Sequence, residues 1–258
     1  MAERPVALIT MAGGYVGPAL ARRMARSGFD LVLHQANDRR AGLGSGTDEG
    51  TLAADLAALG SKTLPVTDAD LMTAEGNQAV VQAALDRFGR LDAVCLITGT
   101  IVFGPFLDTT PEQWELVKRA NLDMVFYGLR AVLPPMIAAG TGQVVVFTSA
   151  TGARPEPGVS VYGGTRAGAN AMIRAVGLEV AHTGVVVNAI GTNFMDFPGF
   201  HKASGTNDPQ KRAKLEQRVP VGRMGTMDEL AEFTTVLLDG RSRFQTGQFF
   251  SYSGGWST

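Results

Sequence analysis

Short apolar runs alternate along this chain with longer stretches whose apolar positions recur every three to four residues. The runs are PVALIT (5–10), FDLVLH (29–34), KTLPVT (62–67), LDAVCLIT (91–98), GQVVVFTS (142–149) and VVVNAI (185–190), with GQFFSYSGGW (247–256) near the end. They are apolar throughout instead of alternating, which is the pattern of strands buried on both faces. Between them lie segments with helical spacing: 18–28, 51–60, 78–89, a long one from Pro111, 159–181 and 227–238. Thr110-Pro111-Glu112-Gln113 and Thr226 with Glu229 read as N-caps with capping boxes, because the threonine oxygen and the acidic or amide side chain satisfy free N–H groups reciprocally. The pair Pro134-Pro135 is expected to end the long helix. From Gly191 to about Val219 the chain reads as irregular with polar helical pieces. Strand and helix periods alternating in this way predict an α/β fold, a three-layer, Rossmann-like, doubly wound parallel sheet forming a single domain over 1–258.

Composition narrows the function classes. A net charge of -1 with 18% charged residues gives no basic excess for nucleic acid or an anionic membrane surface. The one cysteine, Cys95, falls in a strand run, so neither a disulfide framework nor a cysteine metal cluster is expected. MAERPVALIT leads almost directly into the first strand without a signal-peptide pattern. No apolar run approaches the length of a membrane span, roughly 18 residues. A cytoplasmic protein that binds no metal is expected.

In a doubly wound sheet ligands bind at the carboxyl ends of the strands. Ser149 ends the 142–149 run; twelve residues then precede Tyr162 and three more precede Arg166. Tyr162 and Arg166, at i and i+4 of a helix, share a face. A serine hydroxyl, a phenol and a permanent cation thus converge. A free tyrosine has a pKa of about 10, and lowering it by two to three units takes roughly 3 to 4 kcal/mol; the guanidinium is the obvious source. Tyr162 is then the acid/base and Ser149 the donor that fixes a substrate oxygen.

The order of elements, the serine-to-tyrosine spacing, TPEQW before the long helix and the GQFFSYSGG ending resemble the short-chain dehydrogenase/reductase superfamily. That superfamily's first turn is T-G-x-x-x-G-x-G, whose glycines admit a pyrophosphate. Here Met11 and Tyr15 occupy the first two glycine positions; Thr98-Gly99-Thr100 replaces N-A-G; His34-Gln35 stands in place of an acidic ribose ligand; and Arg166 replaces a lysine. These departures resemble the halohydrin dehalogenases, through Thr10-x4-Tyr15-x-Gly17 and Ser149-x12-Tyr162-x3-Arg166, and within them the G-type enzymes.

That resemblance implies a cofactor-independent carbon-halide lyase that converts vicinal halohydrins to epoxides and opens epoxides, including bulky or cyclic ones, with halide, azide, cyanide or nitrite. It also implies a homotetramer and a halide loop after the sixth strand. The residues proposed for the anion pocket are Tyr15, Thr192, Asn193, Phe194 and Met195, the loop's backbone N–H groups forming the nest. The alternatives are an NAD(P)-dependent short-chain oxidoreductase with a variant glycine turn, and a non-enzymatic sensor on the same fold. Asn121 stands where the superfamily has an active-site asparagine and is left outside the catalytic set. His34, His182 and His201 read as structural or exposed, Trp256 as packing either on a neighbouring subunit or near the pocket, and 35–50 as a flexible surface loop.

Overall fold

Seven of the apolar runs become strands: β1 (Val6–Ile9), β2 (Asp30–His34), β3 (Thr63–Val66), β4 (Ala93–Ile97), β5 (Gly142–Ser149), β6 (Val185–Thr192) and, after two short strands described below, β9 (Phe249–Tyr252). They form one parallel sheet in the order β3-β2-β1-β4-β5-β6-β9. A computed structural model describes residues 4–35 and 49–257; most of the 35–50 segment, read above as a flexible loop, lies outside the described residues. Every residue of β1, β2, β4 and β5 is buried, as expected of strands covered on both faces. The order reverses between β1 and β4, and the crevice at that switch point is where such a sheet takes ligands.

Helices α1 (Gly17–Arg26), α2 (Glu49–Ala58) and α9 (Met227–Leu238) pack together on one face. The other face carries α3 (Ala74–Phe88), α4 (Pro111–Lys118), α5 (Met124–Ala139) and α6 (Ser160–Val180). Both capping boxes form, with Thr110 accepting from the Gln113 amide and Thr226 from that of Glu229. A small two-stranded unit, β7 (Met195–Asp196) with β8 (Gly225–Thr226), lies beyond β6 together with α7 (Pro198–Ser204) and α8 (Pro209–Glu216).

Two expectations need correction. The long helix does not stop at Pro134-Pro135 but runs on to Ala139. The proline rings cost it two backbone donors, yet Met136 is fully buried and anchors the last turn. Taken together, Pro111–Ala139 is also long and apolar enough to cross a membrane by length and composition. In this fold it packs against α3 and α6 instead, with Val117, Ala120, Val125 and Val132 buried.

Between α4 and α5 the helix opens into a π-turn at Arg119–Asp123. The extra residue turns Asn121 inward, where it is fully buried and donates to the carbonyls of Thr100 (2.8 Å) and Val117 (2.7 Å). A side chain thereby ties the loop after β4 to the helix beneath it.

Candidate active site at the strand ends

The serine and the tyrosine-arginine pair come together because two glycines let backbone approach backbone. After Ser149 the chain makes a short 3-10 turn, Ala150–Gly152, capped by the serine's own oxygen, which accepts from the Thr151 amide at 3.2 Å. A side chain at Gly152 would run into the backbone of Arg166 and Ala167, and one at Gly163 would press on the Thr151 carbonyl at 3.3 Å. The turn carrying Ser149 therefore lies directly on the first turns of α6. Ser149 is buried, with its Oγ 2.8 Å from Thr151 Oγ1.

On α6, Arg166 stacks over the ring of Tyr162, its guanidinium carbon 5.4 Å from the ring centre. Arg166 is only 3% exposed. Its terminal nitrogens donate to Thr98 Oγ1 (2.9 Å), the Thr98 carbonyl (2.5 Å) and the Phe147 carbonyl (3.3 Å). Among the described residues no carboxylate pairs with it. A cation buried among neutral acceptors keeps its field for whatever anion forms beside it. Tyr162 is half-buried, and among the described residues its hydroxyl has no hydrogen-bond partner.

The first turn is built differently. Tyr15 and Met11 sit at φ 49° and 48°, in the left-handed backbone region that glycine adopts freely. The Tyr15 ring packs edge-on against Phe147 (5.8 Å) and Phe197 (5.0 Å), and its hydroxyl donates to Thr192 Oγ1 at 2.7 Å. Burial pushes this phenol above its ordinary range, against the hydrogen bond to Thr192. His34, buried at the end of β2, accepts from the Met11 amide through Nδ1 at 3.3 Å, and its Nε2 lies 2.9 Å from the Ala69 carbonyl. Glu49 Oε1 lies 4.0 Å from where a side chain on Gly13 would begin.

This turn departs in three ways from the glycine turn that admits a pyrophosphate. A ring fills the place of the second glycine, a carboxylate faces the turn, and the residue at the end of β2 is buried within the protein.

The loop after β6 corrects another expectation. The Asn193 amide donates to the Tyr252 carbonyl at 3.4 Å, and the Phe194 amide to Asn193 Oδ1 at 3.0 Å. Two of the amides expected in an anion nest are thus already engaged, while Met195 pairs in β7. Phe194, at φ 54°, turns its ring into a small second core with Ala150, Val219, Met224 and Trp256. Trp256 therefore packs within its own chain, 5.4 Å from Phe194, under the Arg154 guanidinium at 4.7 Å.

Sequence reasoning missed two features. Thr98 stood out only as a departure from N-A-G, although its place at the end of β4, one strand from Ser149, could have marked it. The second is a charged clasp on β7, α7 and α8. Asp196 Oδ1 lies 2.7 Å from His201 Nε2, Arg212 donates to Asp196 Oδ2 at 2.7 Å, and His201 Nδ1 lies 2.8 Å from Thr206 Oγ1. Burial works against the Asp196 charge, but Arg212 and His201 prevail and hold its carboxyl below the usual aspartate range. Among the described residues no cluster of His, Cys, Asp or Glu is arranged to hold a metal ion.

A doubly wound parallel sheet with a serine at the end of β5 and a phenol-cation pair on the next helix defines the class: a Rossmann-like α/β protein with these side chains gathered at its strand ends. The family profile described as "Enoyl-(Acyl carrier protein) reductase" matches residues 14–257, and the chain belongs to the short-chain dehydrogenase/reductase superfamily. It is 29% identical over 255 residues to the 2,5-dichloro-2,5-cyclohexadiene-1,4-diol dehydrogenase LinX of Sphingobium indicum, covering 98% of this chain and 96% of that protein. It is 29% identical over 251 residues to the 3-oxoacyl-[acyl-carrier-protein] reductase of Synechocystis sp., covering 97% and 96%. The crystal structure of levodione reductase superposes with a TM-score of 0.85 at 27% identity over 97% of this chain and 96% of that one.

These relatives overturn the halohydrin dehalogenase expectation. They are named dehydrogenases and reductases along the full length of the chain, so the carbon-halide lyase, its epoxide and halide chemistry and its cofactor independence are not carried forward. The two short signatures that suggested them lie on elements the whole superfamily shares, and a few positions there weigh less than similarity across 255 residues.

Proposed function

We propose that this chain is an oxidoreductase that interconverts an alcohol and a carbonyl on a small organic molecule. The observation that carries the reading is the Tyr162-Arg166 pair at the strand ends: among the described residues the phenol's hydroxyl has no partner, and the buried guanidinium stacked on its ring has no carboxylate. It occurs in a chain whose relatives are named dehydrogenases and reductases. Tyr162 gives the proton to the carbonyl oxygen in reduction and takes it from the hydroxyl in oxidation. Arg166 stabilises the phenolate left behind, and Ser149 holds the substrate oxygen. Thr151, hydrogen-bonded to the serine, sets the direction of the Ser149 hydroxyl. The interconversion moves two electrons as a hydride, which a nicotinamide nucleotide would supply in reduction and accept in oxidation. NAD+ and NADP+ and their reduced forms are supplied as separate arms of the assay, because the first turn departs from the usual glycine pattern at Met11 and Tyr15.

The test is turnover of a panel of secondary alcohols and ketones in each arm, followed by product chromatography. Conversion that is lost in Tyr162→Phe supports the reading. A folded parent protein that converts nothing in any arm overturns it.

A further inference from the structure

We propose that Thr98 is a positioning residue for the proton-transfer pair: its hydroxyl and carbonyl aim the Arg166 guanidinium at the face of Tyr162, and the bare Cα of Gly99 leaves the space in which the guanidinium lies. The inference rests on Tyr162 being the acid/base.

An arginine on a helix has a long, flexible side chain whose usual fate is solvent or a carboxylate partner. Arg166 has neither. Three of its donor contacts go to the ends of β4 and β5, and two of those three go to Thr98 alone, through Oγ1 at 2.9 Å and O at 2.5 Å. Its Nε is buried and has no partner among the described residues, so none of them fixes the fork from the Nε side. A planar guanidinium needs acceptors spaced for its fork, and a threonine at a strand end offers a hydroxyl and a carbonyl from one residue.

Gly99 supplies the complementary condition. It sits at φ 120°, and a Cβ there would land on Arg166 Nη2 and lie 2.6 Å from Asn121 Oδ1. No other residue type leaves that volume open. Asn121 then fixes the next residue, donating to the Thr100 carbonyl at 2.8 Å. The loop is therefore held from the π-turn on one side and from the guanidinium on the other. All acceptors in this cradle are neutral. They orient the cation without cancelling it, which a carboxylate in the same place would do.

A purely structural role for Thr98, joining β4 to α6, predicts a loss of stability and nothing else. A positioning role predicts a change in the proton affinity of one phenol. The chain has four tyrosines, so the phenolate absorbance that disappears in Tyr162→Phe isolates the Tyr162 signal in an alkaline titration of the full chain, with no substrate needed. In Thr98→Val, which removes the hydroxyl at nearly constant shape, the Tyr162 phenolate band is expected to move to higher pH, with a roughly three- to tenfold rise in proton affinity as the cation loses its aim. Thr98→Ser restores the acceptor and is expected to titrate with the parent. Thr98→Ala replaces Thr98→Val if the valine protein does not fold.

A hydroxyl-free variant that is folded by circular dichroism and titrates with the parent overturns the proposal, as does a serine variant that shifts as far as the valine one. A parent whose Tyr162 titrates as a free tyrosine, so that the cation does nothing to be positioned, overturns the acid/base reading and this proposal together. Absence of turnover alongside the expected titration shifts removes only the choice of reaction.

Discussion

Two phenols stand at the carboxyl side of the sheet, one on the turn after β1 and one on α6, and the protein surrounds them in opposite ways. Tyr15 is wedged between Phe147 and Phe197 on left-handed backbone, with its hydroxyl bound to Thr192 and its proton held by burial. Tyr162 is half-buried, carries no hydroxyl partner among the described residues and lies under a cation. On the proposed reading the same side chain is a wall in one place and a reagent in the other. What differs is the environment: Tyr15 is fully desolvated with its hydroxyl tied to Thr192, whereas Tyr162 is half-buried with a guanidinium stacked on its ring.

The largest expected effect follows from this contrast. Tyr162→Phe should lower turnover by about two to four orders of magnitude, the range of positioned acid/base groups, with an unchanged melting temperature. Tyr15→Phe should leave turnover within a few-fold and cost on the order of 1 kcal/mol of stability for the hydrogen bond lost to Thr192. Steady-state kinetics and thermal melts on both variants check the pair, and equal loss of activity in the two would break the comparison.

Next in size, Tyr15→Gly should destabilise by roughly 2 to 3 kcal/mol, because deleting a buried ring outweighs the relief of left-handed strain. The same change opens the first turn, so fluorescence titration should show tighter NADH or NADPH binding than in the parent. Unchanged affinity would show that the ring is not what shapes the turn.

Asp196 supports the closed side, since the following residue, Phe197, packs on Tyr15. Its carboxyl is held below the ordinary aspartate value by Arg212 and His201. The linked stability is thus present above about pH 4, the unfolded pKa, and is lost as pH falls through the lower folded value. Melting temperatures of the parent and Asp196→Asn should differ at neutral pH and converge in acid. The smallest effect is expected at Thr226, whose side chain caps α9: Thr226→Ala should cost about 1 kcal/mol and leave the pH dependence of turnover alone.

Much of the scaffold was legible because its causes are local. Continuous apolar runs marked the strands, and threonines three residues before Gln113 and Glu229 marked two helix starts. Ser149 at a strand end and Tyr162 with Arg166 on one helix face followed from periodicity. The π-turn did not, because one extra residue in a helical hydrogen-bond register leaves the apolar spacing nearly unchanged. Nor did the continuation past Pro134-Pro135, which depends on the burial of Met136. The partners of two amides proposed for the anion nest were not legible either: Asn193 folds its own side chain onto the Phe194 amide, and Tyr252 from β9 takes the Asn193 amide. The reaction was misread where short signatures were set against the whole chain, and the roles of Thr98 and Gly99 became visible only when β4 and α6 were brought into contact.

The most direct measurement is alcohol or ketone conversion by parent and Tyr162→Phe protein at matched concentration, with reduced and oxidised nucleotides in separate arms and product quantified against nucleotide consumed. One product per nucleotide in the parent, with loss in the variant and the fold retained, is the expected outcome. Conversion of equal rate in both proteins, or none in a folded parent across the panel, would contradict Tyr162 as the proton carrier of an oxidoreductase.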